Sequence, residues 1–400
     1  MLFRKKTEYK EDKYKKDFVI FSKYKNLIYF DSACVTLKPK VVVDKINEYY
    51  NEYPGCGGRS GHFIGERVTN EVDDSREIIA KYLNTKYSKE IIFTRNTTEG
   101  INLVSNSLNF NKEDFVVISD KEHNSNFLPW VNLEKKNIIK LKILKTKNGK
   151  IDLKELEDFV KNNKVKLISL NYSSNLDGIV NPVKDIIDIA HKNNSLVLLD
   201  WAQSMGHIKI DVQKLDVDFL CFSGHKIYGP SGIGVLYGKE DLLKELKTYN
   251  IGGDTVWDVN YPNYNLLDLP NKFEAGLQDY SGIISLGEAI KYLDKNLNII
   301  EERSKKNLDL LFELTTNLPI YILSNKENNN WIFTFIPKNV DSRELGVMLN
   351  EYNICVRTGN FCVHNWFNKN NKKYALRVSL GIYNNEEDVK KFVDVLKKLI

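Results

Sequence analysis

Five short apolar runs constrain this chain more than any other feature of its sequence. "EIIFTR" (90–95), "DFVVIS" (114–119), "VKLISLNY" (165–172), "SLVLLD" (195–200) and "DFLCFS" (218–223) lack the apolar–polar alternation of a half-exposed strand. Continuously apolar strands are buried on both faces. Between them lie amphipathic stretches such as "DLKELEDFVKNN" and "VKDIIDIAHKNN". Alternation of this kind predicts an α/β fold, a mostly parallel sheet with helices on both sides. After about residue 290 the pattern changes. A long helical run, "SLGEAIKYLDKNLNIIEERSKKNLDLLFELTTN", leads into the shorter strands "WIFTFIP", "NICVRTG" and "ALRVSLG" and a last helix, "EEDVKKFVDVLKKLI". We therefore expect a basic arm over residues 1–20, a large domain over 21–290 and a smaller α+β domain over 291–400.

Composition narrows the function classes. With 42% hydrophobic and 28% charged residues in a 400-residue chain, the protein reads as an ordinary globular one. Its 58 basic and 53 acidic residues leave a net charge of +5, mixed rather than concentrated, so nucleic acid is not an expected partner. The opening "MLFRKKTEYKEDKYKKDF" has acids among its lysines and no apolar core of signal-peptide length. No stretch is long enough to span a bilayer, so a cytoplasmic protein without membrane contact is expected. Cys34, Cys56, Cys221, Cys355 and Cys362 form no C-x-x-C pair, which argues against a disulfide framework and a metal site.

In parallel α/β sheets the working residues gather beyond the carboxyl ends of the strands. After the first run come Thr97 and Thr98 at a helix start, where hydroxyls and backbone N–H groups suit an anion or simply cap the helix. After the second comes His123, a base or a structural histidine. After the third comes Asn175, an amide donor or a turn former. After the fourth come Asp200 and Gln203. After the fifth come Ser223, His225 and Lys226, the last either reaching solvent or held for chemistry. A carboxylate ending so apolar a strand needs a partner to stay ionised. Taken together, an amine, an acid, a ring and phosphate donors are the set that pyridoxal phosphate needs. A phosphate-binding loop of the G-x-x-x-x-G-K-[ST] type is absent, and "GPSGIG" (229–234) follows the lysine rather than preceding a helix.

At this point the chain resembles the fold-type I pyridoxal-phosphate enzymes of the class V aminotransferase group, and within them the group II cysteine desulfurases and selenocysteine lyases. The likeness is carried by "YFDSA" (29–33), "RNTTEGINLV" (95–104), "EHNSNFLPW" (122–130), "DWAQS" (200–204), "FSGHKIYGPSGIGVLYGK" (222–239), "FEAG" (273–276) and "VRTGNFC" (356–362). It implies that Lys226 holds the cofactor and shuttles a proton, that Asp200 pairs with the ring nitrogen, and that Gln203 meets the phenolic oxygen. His123 would stack on the ring. Thr97, Thr98, Ser223 and His225 would hold the phosphate. Asn175, Arg377 and His62 would meet the substrate, and Cys362 would take its sulfur.

The implied reaction converts L-cysteine to L-alanine, with a persulfide passed to an acceptor protein for iron–sulfur cluster or other sulfur metabolism, in a homodimer. A selenocysteine lyase, another class V lyase or transaminase, and a sulfur-transfer scaffold with weak turnover are the alternatives. The sequence departs from the family pattern at Asn360 and Phe361 before the cysteine, with His364 after it, at Leu277-Gln278-Asp279 after "FEAG", and at Gly58.

Overall fold

All five apolar runs are strands. The computed structural model describes residues 12–147 and 149–400, so most of the expected arm, residues 1–11, lies outside the described residues. Seven strands build the central sheet: β1 (Ile91–Thr94), β2 (Phe115–Ser119), β3 (Lys140–Leu144), β4 (Val165–Asn171), β5 (Leu196–Asp200), β6 (Phe219–Ser223) and β7 (Gly234–Gly238). Their order is β1-β7-β6-β5-β4-β2-β3. The β6-β5-β4-β2-β3 pairs are parallel, and only β7 runs antiparallel to its neighbours. Asn171 lies opposite Asp200 and Asp200 opposite Cys221 in this register, which brings three chain-distant strand ends side by side.

Successive residues of one strand enter different cores, as the two-residue strand period requires. Val197 and Leu199 join one apolar cluster, whereas Leu198 joins another with Ile101, Val104 and Trp130. Covered on both sides, the strands need no polar alternation. Each fully buried leucine contributes about 1.5–3 kcal/mol. The helix α2 (Thr97–Ser107) presses onto this sheet through Gly100, where an added Cβ would lie 2.7 Å from the Cys221 Sγ. Glycine is what permits that approach.

The C-terminal part holds a four-stranded antiparallel sheet of β8 (Ile320–Ile322), β9 (Ile332–Pro337), β10 (Arg357–Gly359) and β11 (Ala375–Ser379) in the order β8-β9-β11-β10. Its core takes in Ile28 and Phe30 from near the N-terminus, because the strand Ile28–Tyr29 pairs with Ile354–Cys355. Helix α4 (Tyr280–Thr315) runs unbroken through residue 290. Its Leu286, Ile290 and Leu293 pack in the large core, its Leu308 and Leu311 in the small one. Asp279 starts it by accepting the Gly282 N–H at 2.9 Å.

Residues 12–18 are docked rather than solvated. Arg303 donates to Asp12 at 2.5 Å, Lys15 pairs with Asp388 at 2.8 Å, and Phe18 is buried.

Candidate active site

The carboxyl ends of β1, β2, β4, β5 and β6 converge on Lys226. This lysine follows β6 in a single 3-10 turn (Gly224–Lys226), so its amine is directed by the strand end rather than by a long loop. The residue is half-buried, and burial around the amine governs its charge. Burial pushes its pKa below the usual lysine value, against the pull of the Asp200 charge. No hydrogen bond or ion pair engages the amine among the described residues. A neutral, unpartnered amine is a nucleophile.

Asp200 ends β5. Its Oδ1 accepts the Ala202 N–H at 2.9 Å, while Oδ2 accepts no hydrogen bond among the described residues. Burial raises its pKa, opposed by the Ala202 bond and by Lys226. A buried carboxylate with one oxygen uncommitted suits a cationic ring N–H.

Helix α2 begins where β1 ends. Asn96 caps it by accepting the Glu99 N–H at 3.0 Å. The Thr97 N–H donates to the Ser223 Oγ at 2.8 Å, and the two hydroxyls lie 2.7 Å apart. Thr98 reaches the Ser125 hydroxyl at 2.7 Å, and Ser125 reaches His123 Nδ1 at 3.0 Å. The expected phosphate hydroxyls and the expected ring-stacking histidine are thus connected. His225 sits beside them, its carbonyl accepting from the Thr36 N–H at 2.9 Å and from Lys38 at 3.2 Å.

His123 caps α3 (Asn124–Lys135), accepting the Ser125 N–H at Nδ1 over 3.1 Å. A neutral ring accepting there carries its proton on Nε2. Burial, then the charges of Lys226 and Arg377, push its pKa down to about 3. His225 is pushed down to about 4 by burial, Lys226 and Lys38. Both are neutral near pH 7.

Arg377 of β11, expected at the substrate end, lies at the other side of the site. Its Nη1 donates to the Asn175 carbonyl at 2.8 Å, and its Nη2 lies 3.6 Å from Asp31. Its buried Nε has no partner among the described residues. An orphaned guanidinium N–H in a site is a place for a carboxylate. Asn175 donates to the Phe361 carbonyl at 2.6 Å, so it holds the segment before Cys362 as well as supporting Arg377.

Cys362 is exposed, and its carbonyl accepts the Asn124 N–H at 2.7 Å. Phe361 and Cys362 both have left-handed backbones, at φ 49° and 58°. Two successive non-glycine residues there cost about 1–3 kcal/mol each, and such strain collects at functional sites. His364 approaches the same loop, its Nδ1 3.0 Å from Asn124 Nδ2. Arg357 instead lies 3.8 Å from Asp31.

Two expected residues sit differently from the rest. The Gln203 side chain donates to the Ala33 carbonyl at 2.9 Å while its backbone carbonyl accepts from Asn330 Nδ2 at 2.6 Å. His62 is exposed and caps helix α1 (Phe63–Leu83), accepting the Gly65 N–H at 3.1 Å. None of its hydrogen bonds reaches the other site residues among those described. Sequence reasoning missed Asn330, Ser125, Asp31 and Glu122. All but Asn330 stand inside quoted motifs, and the spacing of Glu122 and Asn126 across one helical turn was the available signal.

These residues fit pyridoxal phosphate: an unpaired amine, a carboxylate with a free oxygen, and hydroxyls clustered at a helix start. Among the described residues no group of three or more His, Cys, Asp or Glu is placed to hold a metal ion, and no helix is long and apolar enough to cross a membrane.

Known proteins share this arrangement. A model of the class-V aminotransferases matches residues 28–392. A probable cysteine desulfurase of Borreliella burgdorferi is 37% identical over 403 residues, covering 96% of this chain and 95% of its own. A cysteine desulfurase of Wigglesworthia glossinidia brevipalpis is 36% identical over 96% of each chain. The apo structure of a cysteine desulfurase from Thermococcus onnurineus superposes with a TM-score of 0.92 at 32% identity, covering 96% of this chain and 97% of that one. With a family match across nearly its whole length and relatives this similar, the chain belongs to the class V aminotransferases, fold-type I enzymes that use pyridoxal phosphate.

Proposed function

We propose that the protein is a cysteine desulfurase that converts L-cysteine to L-alanine and leaves the sulfur on Cys362 as a persulfide. The observation that carries this reading is the thiol loop. Cys362 is exposed, tied on one side to Asn175 and on the other to Asn124, next to the buried Arg377 and within charge-interaction range of Lys226.

Bound through Lys226, pyridoxal phosphate supplies an electron sink for bond breaking at the substrate's α- and β-carbons. Asp200 holds the ring nitrogen through its free oxygen. The Thr97, Thr98 and Ser223 hydroxyls hold the phosphate at the start of α2. Arg377 orients the substrate carboxylate through its unpaired Nε. The Lys226 amine, whose neutral form burial favours, takes the α-proton and returns it. His123 carries a transferable proton on Nε2. The Cys362 thiolate forms an S–S bond to the substrate sulfur as the carbon–sulfur bond breaks. That electron pair stays with the three-carbon fragment, which is protonated and leaves as alanine.

The persulfide is then handed to an acceptor protein for iron–sulfur cluster or other sulfur metabolism. Five free thiols suit a reducing cytoplasm. Alanine measured from cysteine, with sulfide released by a reductant in equal amount, tests the assignment. Alanine without sulfide would overturn it.

Asp200→Asn keeps its cofactor, by absorbance, yet slows alanine formation about 10- to 100-fold. An amide cannot balance the ring charge, and each pKa unit of lost stabilisation is tenfold in rate. Unchanged rates in this variant would remove Asp200 from the role.

The enzyme acts as a two-fold dimer. The hairpin formed by Val256–Asn260 and Asn263–Leu266 exposes Trp257, Val259 and Tyr261, and Leu277 is exposed nearby in sequence. Exposed apolar clusters of this kind are contact surfaces. Sedimentation at micromolar concentration should give twice the 46.3 kDa chain mass. A fully active monomer contradicts it.

A further inference from the structure

Glu122 directly precedes His123 and takes no part in the chemistry above. It is 1% exposed, at the carboxyl ends of β2 and β4. Its Oε1 accepts from the Ser119 hydroxyl at 2.5 Å. Its Oε2 accepts from Asn126 Nδ2 at 2.7 Å and from the Asn171 N–H at 2.9 Å. Asn126 cannot turn round, because its Oδ1 already accepts from Ser169 at 2.5 Å and from Trp130 at 3.2 Å. Three donors therefore converge on two oxygens, a cradle suited to the ionised form.

No ion pair balances Glu122 among the described residues. Buried charges ordinarily have a counter-ion. The nearest charged strand end has the same sign: Asn171, which donates to Oε2, lies opposite Asp200 in the β4–β5 register. Two carboxylates thus stand one strand apart. Such a pair is costly on its own and is relieved by a cation placed against it. Asp200's free oxygen is where the cofactor's ring nitrogen would bring that cation.

We propose that Glu122 is a positioning residue for the cofactor ring: its charge, fixed behind Asp200 by Ser119, Asn126 and Asn171, raises the proton affinity of the ring nitrogen and keeps it protonated. The other titratable groups around the pair leave this charge in place. Lys226 faces Asp200 and is driven toward neutrality by burial, the Cys221 thiol on β6 is raised well above its usual range, and His123 is neutral. Burial, reinforced by Asp200 and opposed by the three donors, pushes Glu122 itself up to about 7.

The proposal rests on pyridoxal phosphate being held at Lys226. Its test loads the full-length enzyme with cofactor labelled with nitrogen-15 in the ring and follows that nitrogen's chemical shift with pH. In Glu122→Gln the ring nitrogen should lose its proton roughly one pH unit lower than in wild type, an about tenfold weaker proton affinity. In the wild-type holoenzyme a second, smaller change in the ring shift should accompany the titration of Glu122 at or below pH 7. A wild-type shift flat through that region overturns the proposal even if the variant does not fold, and so does a Glu122→Gln titration that superposes on wild type. If wild type takes up no cofactor, as read from its visible absorption, the cofactor reading fails and this proposal with it. Normal loading with no effect of Glu122 removes this proposal alone.

Discussion

Lys226→Ala is expected to bind pyridoxal phosphate without covalent attachment and to form no measurable alanine from cysteine. The amine stands at the end of β6 with no hydrogen bond among the described residues, and burial favours its neutral form, which suits it to attach the cofactor and exchange the α-proton. Among the described residues no second amine is set for the task. The nearby Lys38 is pushed down to about 8 by burial, but its Nζ donates to the carbonyls of Thr36 and His225. Loss of a positioned acid–base group alone costs about 10²–10⁴-fold. Loss of the attachment adds to this, so a fall of at least about 10⁴-fold is expected in steady-state alanine formation. Borohydride treatment followed by mass mapping is the check on attachment. Cofactor fixed to another lysine in the variant would show Lys226 to be the wrong residue.

Cys362→Ala should keep the cofactor spectrum of wild type, and its spectral response to cysteine, while losing desulfuration by at least about two orders of magnitude. The loop carrying this thiol is held by Asn175 on the Phe361 carbonyl, by Asn124 on the Cys362 carbonyl and by the Phe361 ring against the Arg377 guanidinium, contacts that alanine at 362 preserves. The substitution therefore removes a nucleophile and little else. Alkylation of wild type after a brief exposure to cysteine should find the extra sulfur on Cys362. It should be absent from Cys221, which is buried under Gly100 and whose thiol is held protonated. Normal turnover by the alanine variant would make this a class V enzyme of another reaction type.

The strands that frame the site were legible because they are buried on both faces, and their apolar runs stop where the chemistry begins. β3 escaped notice for the opposite reason. It is an edge strand, "KLKIL", whose lysines interrupt the apolar signal and protect an open edge. β7 lies within the lysine motif, and the glycines at its two ends mask it as a strand. The polar turn at 325–330 reads as a linker by composition. In the fold Asn329 and Asn330 are buried, and Asn330 donates to the Gln203 carbonyl. Composition cannot distinguish an amide that bonds water from one that bonds a distant loop. Glu122 is hidden in the sequence because nothing local tells a buried carboxylate from a solvated one.

Helix α4 gives the enzyme a gauge. At 36 residues it is about 54 Å long, and it is anchored at one end in the core that carries Lys226 and at the other in the core that carries Arg377 and the strand leading to Cys362. The thiol and the amine therefore keep a spacing that neither loop can adjust alone, and an amino acid gripped between them is measured against a fixed rule. Cysteine carries its sulfur one methylene from the α-carbon. Homocysteine carries it two away, more than 1 Å out of register, and misplacement on that scale costs about 10²-fold. Equal alanine-type turnover of the two amino acids would mean that the frame flexes. Discrimination between them has a chemical part, because homocysteine's sulfur sits on the γ-carbon beyond the bonds the cofactor activates, and a geometric part set by one helix outside the site.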